Sequence, residues 1–323
     1  MTDIAKTVLE EYQIRKTKKQ KTRFIDYATQ FAKERGYDCT VEKGYMGARN
    51  IVIGSPDTAD VIYTAHYDTC PVLPFPNFIT PKKISLYLLY QLLIVAVAMA
   101  VMLGAMIGLV HLIGVASAAW NITNEWVLFA LTEAAVFVVA ALMLTLMLAG
   151  PANQHTANDN TSGVVTLLTV MDSLPVSDRS HVAFVFFDLE ETGLFGSAGF
   201  AAKHRSQLKG TLLVNFDCVS DGKHILLAVG KGAKSFVPAL KESFSARDGF
   251  EVDVRSKGVF YPSDQMNFTH GVGVASLKYS KWLKTDYMDR IHTGRDVIFE
   301  EENIQYLTEC ALCLAEKFRR VKV

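Results

Sequence analysis

ISLYLLYQLLIVAVAMAVMLGAMIGLVHLIGVASAAWNITN, Ile84 to Asn124, runs 41 residues without a Lys, Arg, Asp or Glu. Just before it stands Thr64-Ala65-His66-Tyr67-Asp68, and after it Asn158-Asp159-Asn160-Thr161-Ser162-Gly163. How the apolar stretch is read decides the fold. As a buried helix it would belong to one large domain. As a membrane segment it interrupts a globular domain, whose two polar flanks then meet in space. Core helices rarely stay uncharged this long, which favours the membrane reading.

Ile84 to about Val110 is long enough to cross a ~30 Å hydrocarbon layer at ~1.5 Å per residue, and Trp126 to Ala149 supplies a second span. The short polar connection Ala116–Glu125 predicts an antiparallel hairpin, with Trp120 and Trp126 at one interface and Tyr87 and Tyr90 at the other. No Lys or Arg occurs between Lys83 and Arg179, while Lys82 and Lys83 stand at the start of the first span. The positive-inside rule then places the connection outside and the remaining chain in the cytoplasm. A two-helix, multi-pass protein of the cell inner membrane is expected, with the lipid bilayer as one partner. Gly104-Ala-Met-Ile-Gly108 serves close packing, either within the hairpin or between protomers of a homo-oligomer. His111 and Glu133 are costly in lipid and are expected to face each other, a partner subunit or a hydrated interface.

Outside residues 81–150 the composition is that of an ordinary globular domain. The formal net charge of the 323 residues is zero, so nothing global points to a nucleic-acid partner. Arg15, Lys16, Lys18, Lys19, Lys21 and Arg23 crowd one stretch of a predicted first helix, Met1–Arg35. They read as a solvated face or as a contact for anionic headgroups. Five cysteines (Cys39, Cys70, Cys218, Cys310, Cys313), an odd number without paired CxxC motifs, read as reduced thiols. Met1 to Glu34 carries charge throughout, so no cleavable signal peptide is expected.

The globular portion alternates strand and helix. Asn50–Gly54, Val61–His66, His181–Asp188, Leu212–Asp217, Ile225–Val229 and Val274–Tyr279 are short β-rich runs. Helical patterns cover Ser162–Ser173, Gly196–Arg205, Phe236–Ala246 and Glu300–Arg320. This predicts an α/β, three-layer sandwich with a mostly parallel, twisted mixed sheet, interrupted by the two-helix transmembrane hairpin. Such sheets gather chemistry at the carboxyl ends of their strands, where His66, Asp188–Glu191 and Asp217 all fall. The domains are 1–80 with 151–323, discontinuous, and the insert 81–150.

A two-metal hydrolytic site needs a carboxylate bridging ions ~3.5–4 Å apart, further His and carboxylate ligands, and a base beside the bound water. His66, Asp159, Glu191, Asp217 and His292 supply a bridge and two ligands for each ion. Glu190, beside Glu191, is free to stand over the water. Two His and three carboxylates suit two Zn ions, with Co or Mn as substitutes.

Five segments in order carry a resemblance: Ala65-His66-Tyr67-Asp68, Asn158–Gly163, Phe187-Asp-Leu-Glu-Glu-Thr-Gly-Leu-Phe-Gly-Ser197, Asn215-Phe216-Asp217 and Arg290-Ile291-His292-Thr293. Together the chain outside the hairpin resembles the di-zinc aminopeptidases of clan MH, which also holds glutaminyl cyclases and glutamate carboxypeptidases. The resemblance implies that His66 and Asp217 complete one metal site, Glu191 and His292 the other, with Asp159 shared. It makes Glu190 the general base and later the proton donor. Asp68 would fix the tautomer of His66. Tyr261 would polarise the scissile carbonyl, ahead of Ser263-Asp264, where the family continues with His and this chain has Gln265. Cys70 and Cys218 match no family ligand and read as small buried residues.

The expected activity is that of a membrane-anchored di-zinc metallopeptidase removing N-terminal residues from hydrophobic or membrane-associated peptides. Alternatives are a glutaminyl cyclase, an N-acyl amino acid amidohydrolase and, in a different class, a non-catalytic membrane scaffold.

Overall fold

The computed structural model describes residues 1–247 and 249–321. The chain divides into two compact units, Met1–Ile84 with Ala152–Val323, and Ser85–Pro151.

The first unit is built on a nine-stranded sheet in the order β1 (Cys39–Lys43), β2 (Arg49–Ile53), β4 (Val182–Phe187), β3 (Val61–His66), β5 (Leu212–Phe216), β8 (Gly271–Ser280), β6 (His224–Val229), β7 (Glu251–Arg255), with β9 (Thr285–Tyr287) paired to β8. At its centre lie β3 (Val61–His66), β4 (Val182–Phe187) and β5 (Leu212–Phe216), mutually parallel, followed by the parallel β8 (Gly271–Ser280). Every residue of β3, β4 and β5 is buried. Strands covered on both faces carry unbroken apolar runs, which is why Val-Ala-Phe-Val-Phe-Phe reads so clearly as a strand. Helices cover both faces. Tyr63, Phe184, Val214 and Phe216 pack with α5 (Gly163–Ser173) and α7 (Glu301–Val321) in the larger core. Ile62, Ala183, Val185 and Phe187 point the other way, toward Phe200 of α6 (Phe195–Lys203). The α/β sandwich is therefore as its sequence predicts.

Antiparallel pairs appear at the flanks: β1 (Cys39–Lys43) with β2 (Arg49–Ile53), β2 with β4, β6 (His224–Val229) with β8, and β8 with β9 (Thr285–Tyr287). β1, β7 (Glu251–Arg255) and β9 are additions to the expected strands. β1 and β7 are edges carrying Glu42, Lys43, Glu251, Asp253 and Arg255, charges that guard an edge but erase the apolar alternation.

The predicted first helix is two. α1 (Asp3–Glu11) ends, and α2 (Lys18–Glu34) restarts under a capping box in which Thr17 Oγ1 accepts from Gln20 N and Gln20 Oε1 accepts from Thr17 N. The basic stretch is consequently not one solvated face. Arg15 is fully buried in the break and Lys21 is buried on α2, while Lys18, Lys19 and Arg23 are exposed. All five cysteines are free.

The second unit holds α3 (Ile84–Ala119) and α4 (Glu125–Ala149), both long and apolar enough to cross a membrane. α3 runs on from Val110 to Ala119, through Gly114, in a segment that has no proline and carries three alanines. Its 36 residues span about 54 Å at ~1.5 Å each, more than one hydrocarbon layer requires. Asn124 caps α4 by accepting from Trp126 N and Val127 N. A Cβ added at Gly104 or Gly108 would meet nothing within 4 Å, so packing within the hairpin does not explain these glycines. His111 and Glu133 are both exposed, and no ion pair joins them among the described residues.

Candidate metal centre

Register places the site. His66 pairs with Phe187 across β3 and β4, and Thr64 pairs with Asn215 across β3 and β5, so three strands end at one level. His66 closes β3, Asp188–Glu191 follow β4, and Asp217 follows β5. Asp159 comes from the turn Ala157–Ser162 that leads into α5, and His292 from the loop after β9. The turn is held from both sides. Asp296 accepts from Asn158 N at 2.9 Å and Asp159 N at 3.0 Å. Asn160 donates to Phe216 O at 3.0 Å and accepts from Cys218 N at 3.2 Å. Gly163 lies so close to β5 that a Cβ there would fall 2.3 Å from Phe216 O.

The side chains converge. His66 Nε2 lies 3.3 Å from Asp159 Oδ1 and 3.3 Å from Asp217 Oδ1. His292 Nε2 lies 3.1 Å from Asp159 Oδ2 and 3.2 Å from Glu191 Oε2. Asp159 thus turns one oxygen to each histidine. Two donors bound about 2.1 Å from one tetrahedral zinc sit ~3.4 Å apart, close to these separations. His66, Asp159 and Asp217 keep their donor atoms within 4.8 Å of one another, as do His66, Glu190 and Glu191. Glu191 Oε1 is buried with no hydrogen-bond partner, a lone pair left over for a cation. The donor set therefore fits the metal it implies.

Electrostatics agree. Burial alone would raise Asp159, but hydrogen bonds from His292 and His66 hold it below the usual carboxylate range. Burial pushes Glu190 well above the ordinary value, against the pull of His66, with Asp217 and Glu191 adding repulsion. Burial opposes protonation of His292, yet Glu191 and Asp159 raise it. So much confined negative charge is a demand for cations.

Asp68 faces His66 through both its main chain and its carboxylate. The nearer acceptor for His66 Nδ1 is the Asp68 main-chain oxygen, at 3.1 Å, while Asp68 Oδ1 is 3.6 Å away. The carboxylate also reaches the turn after β4, accepting from Glu190 N at 3.0 Å and Glu191 N at 3.3 Å. Tyr261, expected to polarise the carbonyl, lies beside the Asp217 strand end. It is buried, and its hydroxyl donates to Asp217 O at 2.9 Å. Gln265 donates to Tyr261 O at 2.7 Å and accepts from Asn215 Nδ2 at 3.1 Å, which makes this residue a brace between loop and β5. Beside it, burial pushes the Asp264 carboxyl up to about 7. Leu189, two residues before Glu191, Cys218, after Asp217, and His292 itself have φ of 56°, 56° and 64°, strained for side-chain-bearing residues and typical of functional loops.

Several supporting residues escape sequence reasoning. Arg15 donates to Thr161 Oγ1 at 3.2 Å and to Tyr67 O, tying the His66 and Asp159 segments together; burial pulls its pKa down to about 9. Cys70, set aside as a small residue, keeps its sulfur within 4.8 Å of donor atoms of Glu191 and His292. Its closeness to His66 in sequence was the available signal. Lys21 Nζ meets Asp188 Oδ1 at 2.5 Å, both groups nearly buried, at the base of the Glu190–Glu191 turn. Lys21→Met should lower unfolding free energy by about 3–5 kcal/mol by stranding that carboxylate, read from denaturant midpoints. A change within 0.5 kcal/mol or so would mean that Asp188 is solvated.

Residues 143–315 match the family model described as Peptidase family M28. No curated protein matches the chain. Among solved structures, the LapA aminopeptidase of Legionella pneumophila is similar at 14% identity and a TM-score of 0.55, over 97% of this chain and 67% of that one. A Bacteroides thetaiotaomicron glutaminyl cyclase bound to N-acetylhistamine gives 13% and 0.55, over 97% and 94%. A leucine aminopeptidase precursor from the same organism gives 13% and 0.52, over 97% and 94%. At such identities the likeness is one of fold. The family match is more specific, because it takes in Asp159, Glu190, Glu191, Asp217 and His292, and the strand register brings His66 to them. The chain belongs to peptidase family M28, and is with it a zinc-type peptidase.

Proposed function

We propose that the chain is a membrane-anchored aminopeptidase that holds two zinc ions and acts on hydrophobic or membrane-associated peptides. The observation that carries the two-ion reading is Asp159, with one oxygen toward His66 and the other toward His292. His66 and Asp217 would hold one ion, Glu191 and His292 the other, with Asp159 between. When bound, such a pair supplies a Lewis acid for a peptide carbonyl and a water acidic enough to ionise near neutrality.

The chain's own residues do the rest. Glu190 takes the proton of the attacking water and later delivers it to the leaving amine nitrogen, so that the peptide bond breaks with its proton balance closed. Asp68 holds the main chain of Glu190 and Glu191 so that one carboxylate serves the metal while its neighbour serves the water. The hydroxyl of Tyr261 acts on Asp217 as a positioning group.

A glutaminyl cyclase remains the second reading, since one such enzyme shares the fold. Elemental analysis of pure protein decides the metal count, with two ions per chain expected. A panel of free-amine peptides, N-terminal glutaminyl peptides and N-acylated amino acids decides the reaction. Cyclisation without hydrolysis of free-amine peptides would overturn the aminopeptidase reading.

The two apolar helices support a two-span topology, and Lys82 and Lys83 before the first of them support its orientation. In this reading the catalytic unit and both termini lie in the cytoplasm, with only the connection after α3 outside. Lys82 pairs with Asp286 at 2.5 Å, but the positive-inside rule counts Lys and Arg rather than net charge. In protein whose native thiols are replaced, Asn121→Cys should label from outside intact cells with an impermeant maleimide. Labelling of Thr2→Cys under the same conditions would reverse the orientation.

A further inference from the structure

The hairpin joining β8 to β9 turns through Lys281-Trp282-Leu283-Lys284. Trp282 is 89% exposed, the most exposed large hydrophobic residue described. Lys281 and Lys284 on either side are also exposed. An indole left in water gives up one of the largest burial gains available to any side chain, so its exposure asks for a partner.

The tip is not loose. Leu283 N donates to Ser280 Oγ at 3.0 Å, and Ser280 pairs with Thr285. It is also fastened to the residues immediately before α3. Lys83 Nζ donates to Leu283 O at 2.7 Å, and Lys82 Nζ reaches Asp286 of β9 at 2.5 Å. Lys82 pairs with Asp253 as well, so the carboxylates behind the tip are already neutralised. Phe260, partly exposed on the neighbouring loop, donates its backbone N–H to Pro81 O at 3.0 Å. The point where the chain enters its first apolar helix is therefore strapped to an exposed tryptophan flanked by lysines.

We propose that this tip is a lipid contact, with Trp282 seated at the headgroup level of the leaflet that α3 enters and Lys281 and Lys284 facing anionic phospholipid. The inference rests on reading α3 and α4 as spans. Indole prefers the boundary between hydrocarbon and headgroups, and lysine stems lie along apolar surface while their ammonium groups reach phosphate. Because Lys83 touches the tip and Ile84 begins the span, indole and helix start meet the same layer. The contact orients the catalytic unit. From Lys284 the chain reaches His292 in eight residues, at most about 26 Å at ~3.3 Å each. Leu73 N meanwhile donates to His292 O at 2.8 Å on the irregular segment leading to the helix. Such a contact would favour peptides lying in the interface.

The test uses the full chain with Trp120→Phe and Trp126→Phe, leaving Trp282 as the one tryptophan of the three. It is reconstituted into phosphatidylcholine–phosphatidylglycerol vesicles, with and without lipids brominated high on the acyl chain. Trp282 emission should shift to the blue, be quenched by the brominated lipid and resist aqueous iodide. Lys281→Glu with Lys284→Glu should weaken the bromolipid quenching. If the double Phe variant folds poorly, the difference spectrum between wild type and Trp282→Phe reads the same residue. Emission that iodide quenches fully and bromolipid does not, from protein that stays with the vesicles through an alkaline wash, would overturn the contact while leaving the spans intact. Release of the chain by that wash would overturn the spanning reading and the contact with it.

Discussion

Glu190→Gln protein is expected to hydrolyse peptides about 10²–10⁴-fold more slowly than wild type while its metal content stays near that of wild type. The substitution keeps shape and volume but removes the ability to accept a proton. Glu190 N remains bound to Asp68 Oδ1 at 3.0 Å, so the turn that sets the side chain does not depend on its charge. Neither histidine forms an ion pair with Glu190, whereas His292 pairs with Glu191 and Asp159. Losing Glu190 should therefore spare the donors that face both histidines. Glu191→Gln is the matched control. It should lose activity together with metal, because Glu191 Oε2 is 3.2 Å from His292 Nε2 and its other oxygen has no partner to retain it. Elemental analysis beside kcat measurements separates the two variants. Full activity in Glu190→Gln protein would remove it as the base, and metal loss there would make it a ligand instead.

The features that sequence made legible share a physical cause. β3 and β4 announce themselves because burial on both faces demands unbroken apolar runs, and the ends of adjacent parallel strands have no choice but to meet. That is why His66, Glu190, Glu191 and Asp217 could be gathered from pattern. Asp159 and His292 sit on loops whose course no periodicity fixes, and ordered resemblance to a family was needed to set them beside the others. The edge strands β1 and β7 were hidden by charges that protect an edge. Arg15 shows the remaining gap. Its basic neighbours suggest a solvated face, yet its partner Thr161 lies 146 residues away in sequence, and only the folded chain reveals the bond. The same holds for Lys21 and Asp188, 167 residues apart, and for Asp296 beneath the Asp159 turn. Positive φ at Leu189, Cys218 and His292 is likewise imposed by the assembled site, against local preference.

Asp159→Asn should have a different signature: loss of both ions, and with them all hydrolysis. Asp159 is the one side chain whose two oxygens face the two histidines, at 3.3 Å and 3.1 Å. An amide presents an oxygen to one side only and an N–H pair to the other, where a donor meets a donor or a cation. The substitution also removes one negative charge from the point shared by both halves of the cluster. Folding of the metal-free chain should suffer little, because the backbone N–H of residue 159 still reaches Asp296 and a buried charge has been removed rather than stranded. The stability that metal contributes should vanish. For wild type in metal at a thousandfold excess over its dissociation constant, that contribution is about 4 kcal/mol. Thermal unfolding with and without a chelator reads it directly: wild type should lose several degrees when stripped, and the variant almost nothing. Retention of two ions per chain in Asp159→Asn protein, or an equal chelator response in both proteins, would show that this carboxylate does not bridge, and the two-ion site would have to be rebuilt around separate halves.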